Sequence, residues 1–313
     1  MLKRILLSIV TLWVLSVLVF AAGQWLPGDV ARTILGPLAD AQAVAALNHS
    51  LGTDRPVIGQ YVHWIGGLAH GDLGTSLVYR APVASFLWPA LLNSLKLAGL
   101  AFVIVVPLSI MAGVVAALRA DGWLDRLITM SGATLAVVPE FVSAIVLILV
   151  FSVWLDWLPL SATAPPGAGA LDALGHLFLP ALPLVFVFFG YFARMTRTGM
   201  IDALASDYTR TAILKGLPFP VVLWRHVLRN ALLPTITVAT TQLGYMIGGL
   251  VVVESLFHYQ GIGGLVFDAA KGHDFPLLEA GVLAIGAVYV LTNLMADLCY
   301  RLIDPRLREG DTQ

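Results

Sequence analysis

Five stretches of this chain contain no Asp, Glu, Lys or Arg: Ile5 to Gly28, Leu97 to Leu118, Ala173 to Ala193, Asn230 to Val253 and Ala280 to Ala296. A sixth, Leu127 to Leu155, is interrupted only by Glu140. Each is close to the ~20 residues that a helix needs to cross about 30 Å of hydrocarbon. In that medium a backbone must satisfy its own hydrogen bonds, so only helices and closed barrels span it. Strand-type alternation is absent, so the expectation is an all-α membrane protein with six transmembrane helices. Composition agrees, since apolar residues make up 58% of the chain, charged residues 12%, and mean hydropathy is +0.87.

The first run follows Lys3 and Arg4 and ends near "FAAG", as a secretory leader would. A leader's apolar core is usually about 7–15 residues, so this longer run reads as a retained helix. Six spans place the N-terminus, Arg119, Arg126, the segment from Arg194 to Arg229, and Arg301, Arg306 and Arg308 on one side. The other side receives Arg32, Arg55, Arg80, Lys96 and Lys271, only five of the 18 basic residues. The positive-inside rule then makes both termini cytoplasmic and residues 29–92 a long external loop.

Several function classes are disfavoured. A net charge of −1 suggests no nucleic-acid partner. The single Cys299 forms no intrachain disulfide, and the scattered histidines, His49, His63 and His70 among them, show no metal-ligand spacing. There is no G-x-x-x-x-G-K-[ST] phosphate loop, H-E-x-x-H or G-x-S-x-G, and the lone "GIGG" at Gly261 reads as an external turn. If the chain moves a solute uphill, the energy therefore comes from ions or from another chain.

The segment from Ser206 to Pro234, "SDYTRTAILKGLPFPVVLWRHVLRNALLP", stands apart. Ser206 or Asp207 is a fitting N-cap for a helix of about two turns ending at Lys215, where a cation complements the dipole. Gly216 supplies a left-handed cap and Pro218 prevents continuation. Pro220 permits a new helix start, with Arg225 and Arg229 on one face and Val221, Leu228 and Leu232 on another. A solvated basic loop is the plain alternative, but helix connections ordinarily run about 2–8 residues. Tyr208, Ala212, Ile213, Leu214, Leu217, Phe219 and Trp224 also give this one apolar surface suited to docking.

These residues resemble the cytoplasmic coupling loop of the membrane subunits of binding-protein-dependent ABC importers, in the branch for dipeptides, oligopeptides and nickel. Tyr208, Arg210, Thr211, Ala212, Lys215, Gly216 and Leu217 fit that branch's Y-x-R-T-A-x-x-K-G-L pattern, and "HVLRNALLP" its continuation. Arg-Thr-Ala stands where the general loop has Glu-Ala-Ala. "LPGD", "LGTDRPVIGQYVHW", "GDLGTS", "NSLKLAG", "GGLVVVESLFHYQGIGGLVFDA" and "TNLMADLCYRLIDPRLR" are similar to further stretches of the same permeases, in order along nearly the whole chain.

The resemblance implies a type I importer permease fold in the bacterial cytoplasmic membrane. Residues 1–92 would form the first span and external loop, 93–301 a five-helix core with its coupling loop at 194–233, and 302–313 a cytoplasmic tail. It implies a homologous second permease subunit, two ATP-binding subunits that hold ATP and Mg, an external solute-binding protein, and no cofactor or ATPase site in this chain. The 206–217 helix would sit in a cleft of an ATPase subunit, with Arg210 and Lys215 pairing with its acids and Ala212 and Gly216 allowing close approach. Dipeptides, oligopeptides, nickel or metal chelates, and glutathione-like compounds are the implied substrates. Glu140, after Pro139 and near mid-membrane, is a candidate for the translocation path or for a structural pairing with Ser143 or Thr134. A stand-alone ion-coupled carrier using Glu140 is the alternative reading. Glu254 and Asp297 read as residues of packing or of a subunit contact, and the loop with Asp54, Arg55 and Asp72 and the turn from His258 to Asp274 as external docking surfaces.

Overall fold

The computed structural model describes residues 2–25, 30–36, 38–165 and 167–303. The "LPGD" motif, the residues from Asp304 onward and the Cys299 side chain lie outside the described residues. Among those described, all regular structure is helical apart from an isolated bridge between Thr75 and Pro82. The helices are α1 (Leu2–Trp25), α2 (Val30–Leu35), α3 (Ala41–Leu51), α4 (Val57–Ala69), α5 (Ala84–Leu118), α6 (Trp123–Val137), α7 (Glu140–Leu147) and α8 (Ala170–Ala205). They continue as α9 (Asp207–Leu214), α10 (Phe219–Val222), α11 (Leu228–Gly248), α12 (Leu250–Leu256), α13 (Ile262–Lys271) and α14 (Phe275–Ile303).

By length and composition, 4 helices among the described residues suffice to cross a membrane: Arg4–Gln24, Ala84–Leu118, Ala170–Ala205 and Phe275–Leu298. Two bent pairs, Trp123–Val137 with Glu140–Trp154 and Phe219–Gly248 with Leu250–Leu256, bring the number to 6 if each is one span. The third span, which carries Glu140, is sharply bent. It turns by 103° where Val138 and Pro139 take extended conformations. Proline has no N–H to donate and pushes its predecessor out of the helical region. The fifth span bends by 50° at Gly249.

The chain divides into two compact units. One comprises Met1–Ser94 and Gln260–Val290. The expected external loop is largely helical here, in α2, α3, α4 and the first turns of α5. Its helices are too short to register as spans, but Gly52 in a left-handed conformation (φ 71°) and Pro56 punctuate them. "GIGG" is likewise not a turn: Gly261 precedes α13, whose first amide, Ile262 N–H, donates to Ser94 Oγ (2.8 Å), while Asn93 Nδ2 donates to the Gln260 carbonyl (3.0 Å). Asp274 is fully buried rather than offered for docking. It accepts hydrogen bonds from Ser76 Oγ, Leu77 N (3.0 Å) and Val78 N (3.3 Å), fixing "GDLGTS" beside the start of α14. Around these anchors Val83, Leu87, Leu91, Ile262, Leu277 and Ala280 form a core. The exposed His49 and Asp54 pair at 2.7 Å, and that hydrogen bond holds the Asp54 carboxyl below its ordinary range.

The other unit comprises Leu95–Tyr259 and Leu291–Gln313, and α8 is its central rod. Glycines bring three neighbours to backbone contact with it. A Cβ on Gly113 would stand 2.6 Å from the Ala193 carbonyl oxygen, and one on Gly132 2.7 Å from Gly190 Cα. Gly199 meets the Ala231 carbonyl in the same way. Lipid gives helices no hydrophobic reason to associate, so close packing of small residues and interhelical polar contacts supply the attraction. The fully buried Thr196 and Thr235 join α8 to α11 at 3.2 Å. Arg197 donates twice to Asp125 of α6, Nε to Oδ1 at 2.5 Å and the other nitrogen to Oδ2 at 2.6 Å. Asp125 also accepts from Asp121 N (2.9 Å) and Thr129 Oγ1 (3.3 Å).

Candidate functional site: the segment between α8 and α11

Helix α9 begins where the sequence placed it, but its cap works differently. Ser206 sits at the N-cap with extended backbone (ψ 153°), yet its hydroxyl donates to the Ala203 carbonyl (2.6 Å) and lies 3.1 Å from Thr209 Oγ1 instead of capping an amide. Thr209, also buried, donates to Ala203 O at 2.7 Å. Both hydroxyls therefore fasten α9 to the end of α8. At the other end Gly216 has φ +76°, with Gly216 N bonded to Ile213 O (2.9 Å) and Leu217 N to Ala212 O (3.4 Å). This is a left-handed C-cap, favourable for glycine because it has no Cβ. Pro218 is extended, and α10 starts at Phe219 with Pro220 in its first turn.

One side of the segment packs onto its own chain. Ala212, Val222, Val227 and Ala231 join Ala117, Met200 and Ala203 in a buried cluster. Ala212, only 4% exposed, consequently anchors α9 and does not present surface to a partner. The residues of the second helix that pack inward are not the apolar set Val221, Leu228 and Leu232 that the sequence sets apart from Arg225 and Arg229. They are Val222, Val227, Ala231 and Thr235, spaced five, four and four residues apart. The five-residue step coincides with a π-type turn over Leu223–Val227. Such a turn inserts one residue into the α pattern and rotates everything after it.

The opposite side is open. Leu214 is 79% exposed and Trp224 70%, and Tyr208, Ile213, Leu217 and Phe219 are exposed as well. Arg210, Thr211, Lys215 and Gly216 share this exposure, and among the described residues Arg210 and Lys215 have no ion-pair partner. Six of the seven residues singled out from the sequence pattern thus lie on accessible surface, Ala212 being the exception. Leu214 and Trp224, not among those seven, are its most prominent apolar side chains. Both belong to the apolar set that the sequence marks as suited to docking.

Glu140 lies elsewhere, as the first residue of α7. Its backbone carbonyl accepts from Ser143 Oγ (2.8 Å), but its half-buried carboxylate has no hydrogen-bond or ion-pair partner among the described residues. Neither Ser143 nor Thr134 satisfies that carboxylate, contrary to the structural alternative. Instead Oε2 faces Gly249, 3.9 Å from where a Cβ would stand, so the breaks of the two bent spans adjoin. Glu254 is buried in α12. Among the described residues no group of three or more His, Cys, Asp or Glu is gathered as metal ligands.

Residues 109–309 match the family described as "Binding-protein-dependent transport system inner membrane component", and residues 1–85 match "Binding-prot-dependent transport system membrane comp, N-term". The glutathione transport system permease protein GsiC of Escherichia coli (strain K12) is 39% identical over 309 residues, covering 98% of this chain and 97% of that protein. The probable peptide ABC transporter permease protein y4tP of Sinorhizobium fredii is 36% identical over 307 residues, covering 98% of each. A solved structure titled as an amino acid ABC transporter with histidines overlaps 71% of this chain and 94% of its own at 14% identity and a TM-score of 0.48. Family membership gives no support to a stand-alone ion-coupled carrier. The chain belongs to the inner-membrane permease components of binding-protein-dependent ABC transport systems, and with them has an all-α, multi-span, type I permease architecture.

Proposed function

We propose that this chain is one permease subunit of an ATP-driven importer for peptides or small peptide-like compounds such as glutathione. Its two cited relatives carry those substrates in their names, which favours them over nickel or metal chelates. In this reading it works with a homologous second permease, two ATPase subunits that bind ATP and Mg, and an external solute-binding protein. It has no nucleotide site of its own. The observation that carries the proposal is α9: a short helix fastened by Ala212, Ser206 and Thr209 to the bundle, with Leu214, Tyr208, Arg210 and Lys215 left on its open side. An ATPase cleft lined by apolar and acidic groups would receive that side, and the anchored side would pass its displacement into α8 and α11. Tyr208, Arg210, Thr211, Lys215, Gly216 and Leu217 are the contact residues, and Ala212 the anchor.

Purification of the tagged chain from its native membrane is expected to bring two ATPase chains and a second permease with it, and proteoliposomes of that complex to take up peptide only with ATP inside. Uptake by the chain alone, without nucleotide, would overturn the reading.

Glu140 is proposed to line the substrate path, because its carboxylate has no partner among the described residues and adjoins the bend at Gly249. Glu140→Gln keeps the shape and removes the charge. Uptake of peptides with an added amino group is expected to fall about tenfold, the equivalent of ~1.4 kcal/mol, with neutral peptides little changed. Equal losses for both classes would instead assign Glu140 to packing.

A further inference from the structure

Helix α4 descends along the outer end of α1. Gln60 meets Gln24 (Gln24 Nε2 to Gln60 Oε1, 3.1 Å), and one turn further along α4 Trp64 stacks on Phe20 (centroids 5.7 Å). Between them Tyr61 lies edge-on to Phe20 (5.4 Å), and its hydroxyl pairs with the buried Ser16 at 2.8 Å. Gln60, Tyr61 and Trp64 of α4 thus meet α1 at Gln24, Phe20 and Ser16, and every α1 partner lies within the apolar span Arg4–Gln24. A helix rises about 1.5 Å per residue, so Phe20 is about 6 Å and Ser16 about 12 Å below Gln24 along the α1 axis. These contacts set α4 beside α1 at the depth of the span's last turns.

The thirteen residues of α4 contain no Asp, Glu, Lys or Arg. Beside the face that meets α1, Ile58, Val62, Ile65 and Ala69 form a stripe with spacings of four, three and four, the repeat of one helix face. Ile58 is 78% exposed and Val62 60%, and no residue of this helix is buried. His63 lies around the helix from that stripe, and Arg55 precedes the helix start. Val17 and Leu18 of α1 are exposed apolar residues of the same span. A water-facing docking helix would be expected to carry charge at such positions. An interfacial helix instead sets apolar residues against acyl chains, aromatic residues at headgroup level and polar groups toward water.

We infer that α4 is a lipid-embedded interfacial helix whose Ile58–Val62–Ile65 stripe faces acyl chains beside α1, while His63 faces water. Part of the region between the first two spans is then a membrane-contact surface and not a docking surface for the solute-binding protein. The inference concerns lipid contact alone and does not depend on which substrate is carried.

Nitroxide labels test it in the full chain, reconstituted in lipid nanodiscs with the partner chains that co-purify with it. The background carries Cys299→Ser, and single labels are attached through Ile58→Cys, Val62→Cys or His63→Cys. At Ile58 and Val62, oxygen, which concentrates in lipid, is expected to relax the label severalfold more than a water-soluble chromium chelate, with the order reversed at His63. Labels at Ile58 and Val62 that are as chelate-accessible as the one at His63 would overturn the inference. The same result accompanied by protection on adding the solute-binding protein would reassign the stripe to that protein.

Discussion

Replacing Leu214 and Trp224 together with aspartate is expected to abolish substrate-stimulated ATP hydrolysis and uptake by the assembled transporter, while the membrane protein's own stability changes by less than about 0.5 kcal/mol. Both side chains project from the open side of the 194–233 segment, at 79% and 70% exposure, so removing them leaves no buried cavity in the folded chain. An exposed apolar anchor that fills a partner's pocket is instead a large share of binding energy, commonly about 2 kcal/mol or more per residue. The contrasting variant is Ala212→Asp. Ala212 lies 4% exposed among Met200, Ala203 and Val222, so a carboxylate there enters an apolar core without a partner and should loosen the segment itself. ATPase stimulation in proteoliposomes and thermal unfolding, measured on both variants, separate contact from anchorage. Full stimulation in the Leu214/Trp224 variant would remove this surface from coupling.

The second large effect lies in the bundle. Asp125→Ala is expected to destabilise the protein by about 3 kcal/mol, at the lower end of the cost of breaking a buried pair because the Arg197 side chain retains 25% exposure. The loss has a definite cause. Arg197 makes two short bonds to the Asp125 carboxylate, and Asp125 is 4% exposed, so the single substitution strands a guanidinium between α6 and α8. Removing both charges, as Asp125→Ala with Arg197→Ala, should cost much less than the sum of the two single substitutions. Thermal unfolding of the four proteins in one detergent gives the coupling energy directly. Additive losses would mean that the pair holds nothing together. Since α8 runs into α9 through Ser206, the Asp125 variant should also weaken coupling of ATP hydrolysis to uptake.

Neither Asp125 nor Arg197 was marked in the sequence reading, because nothing local distinguishes them. They lie 72 residues apart, and each alone resembles an ordinary charge near the cytoplasmic end of a span. Ala212 shows the same limitation from the other direction. The family pattern includes it among coupling residues, but whether an alanine is contact or core depends on which side of α9 meets the bundle. The inward face of the second helix was likewise not readable locally, because the wider turn at Leu223–Val227 makes one step five residues. Between 29 and 92, span-length reasoning passed over helices of 6 to 13 residues. Gly52 and Pro56 were nevertheless visible as their punctuation.

What the sequence determined by itself is what short-range chemistry and solvent dictate. Uncharged runs of bilayer length become helices because lipid offers a backbone no other partner, and this fixed the membrane class and the expectation of six spans. The sharp end of α9 was equally local, since Gly216 can take a positive φ and Pro218 cannot prolong a helix. Tertiary structure alone decided which faces turn inward. The backbone contacts at Gly113, Gly132 and Gly199, the Asp125–Arg197 pair, the burial of Ala212 and Asp274, and the meeting of Glu140 with Gly249 all join residues distant in sequence. Such meetings arise from the simultaneous packing of several helices, which no single stretch of residues encodes.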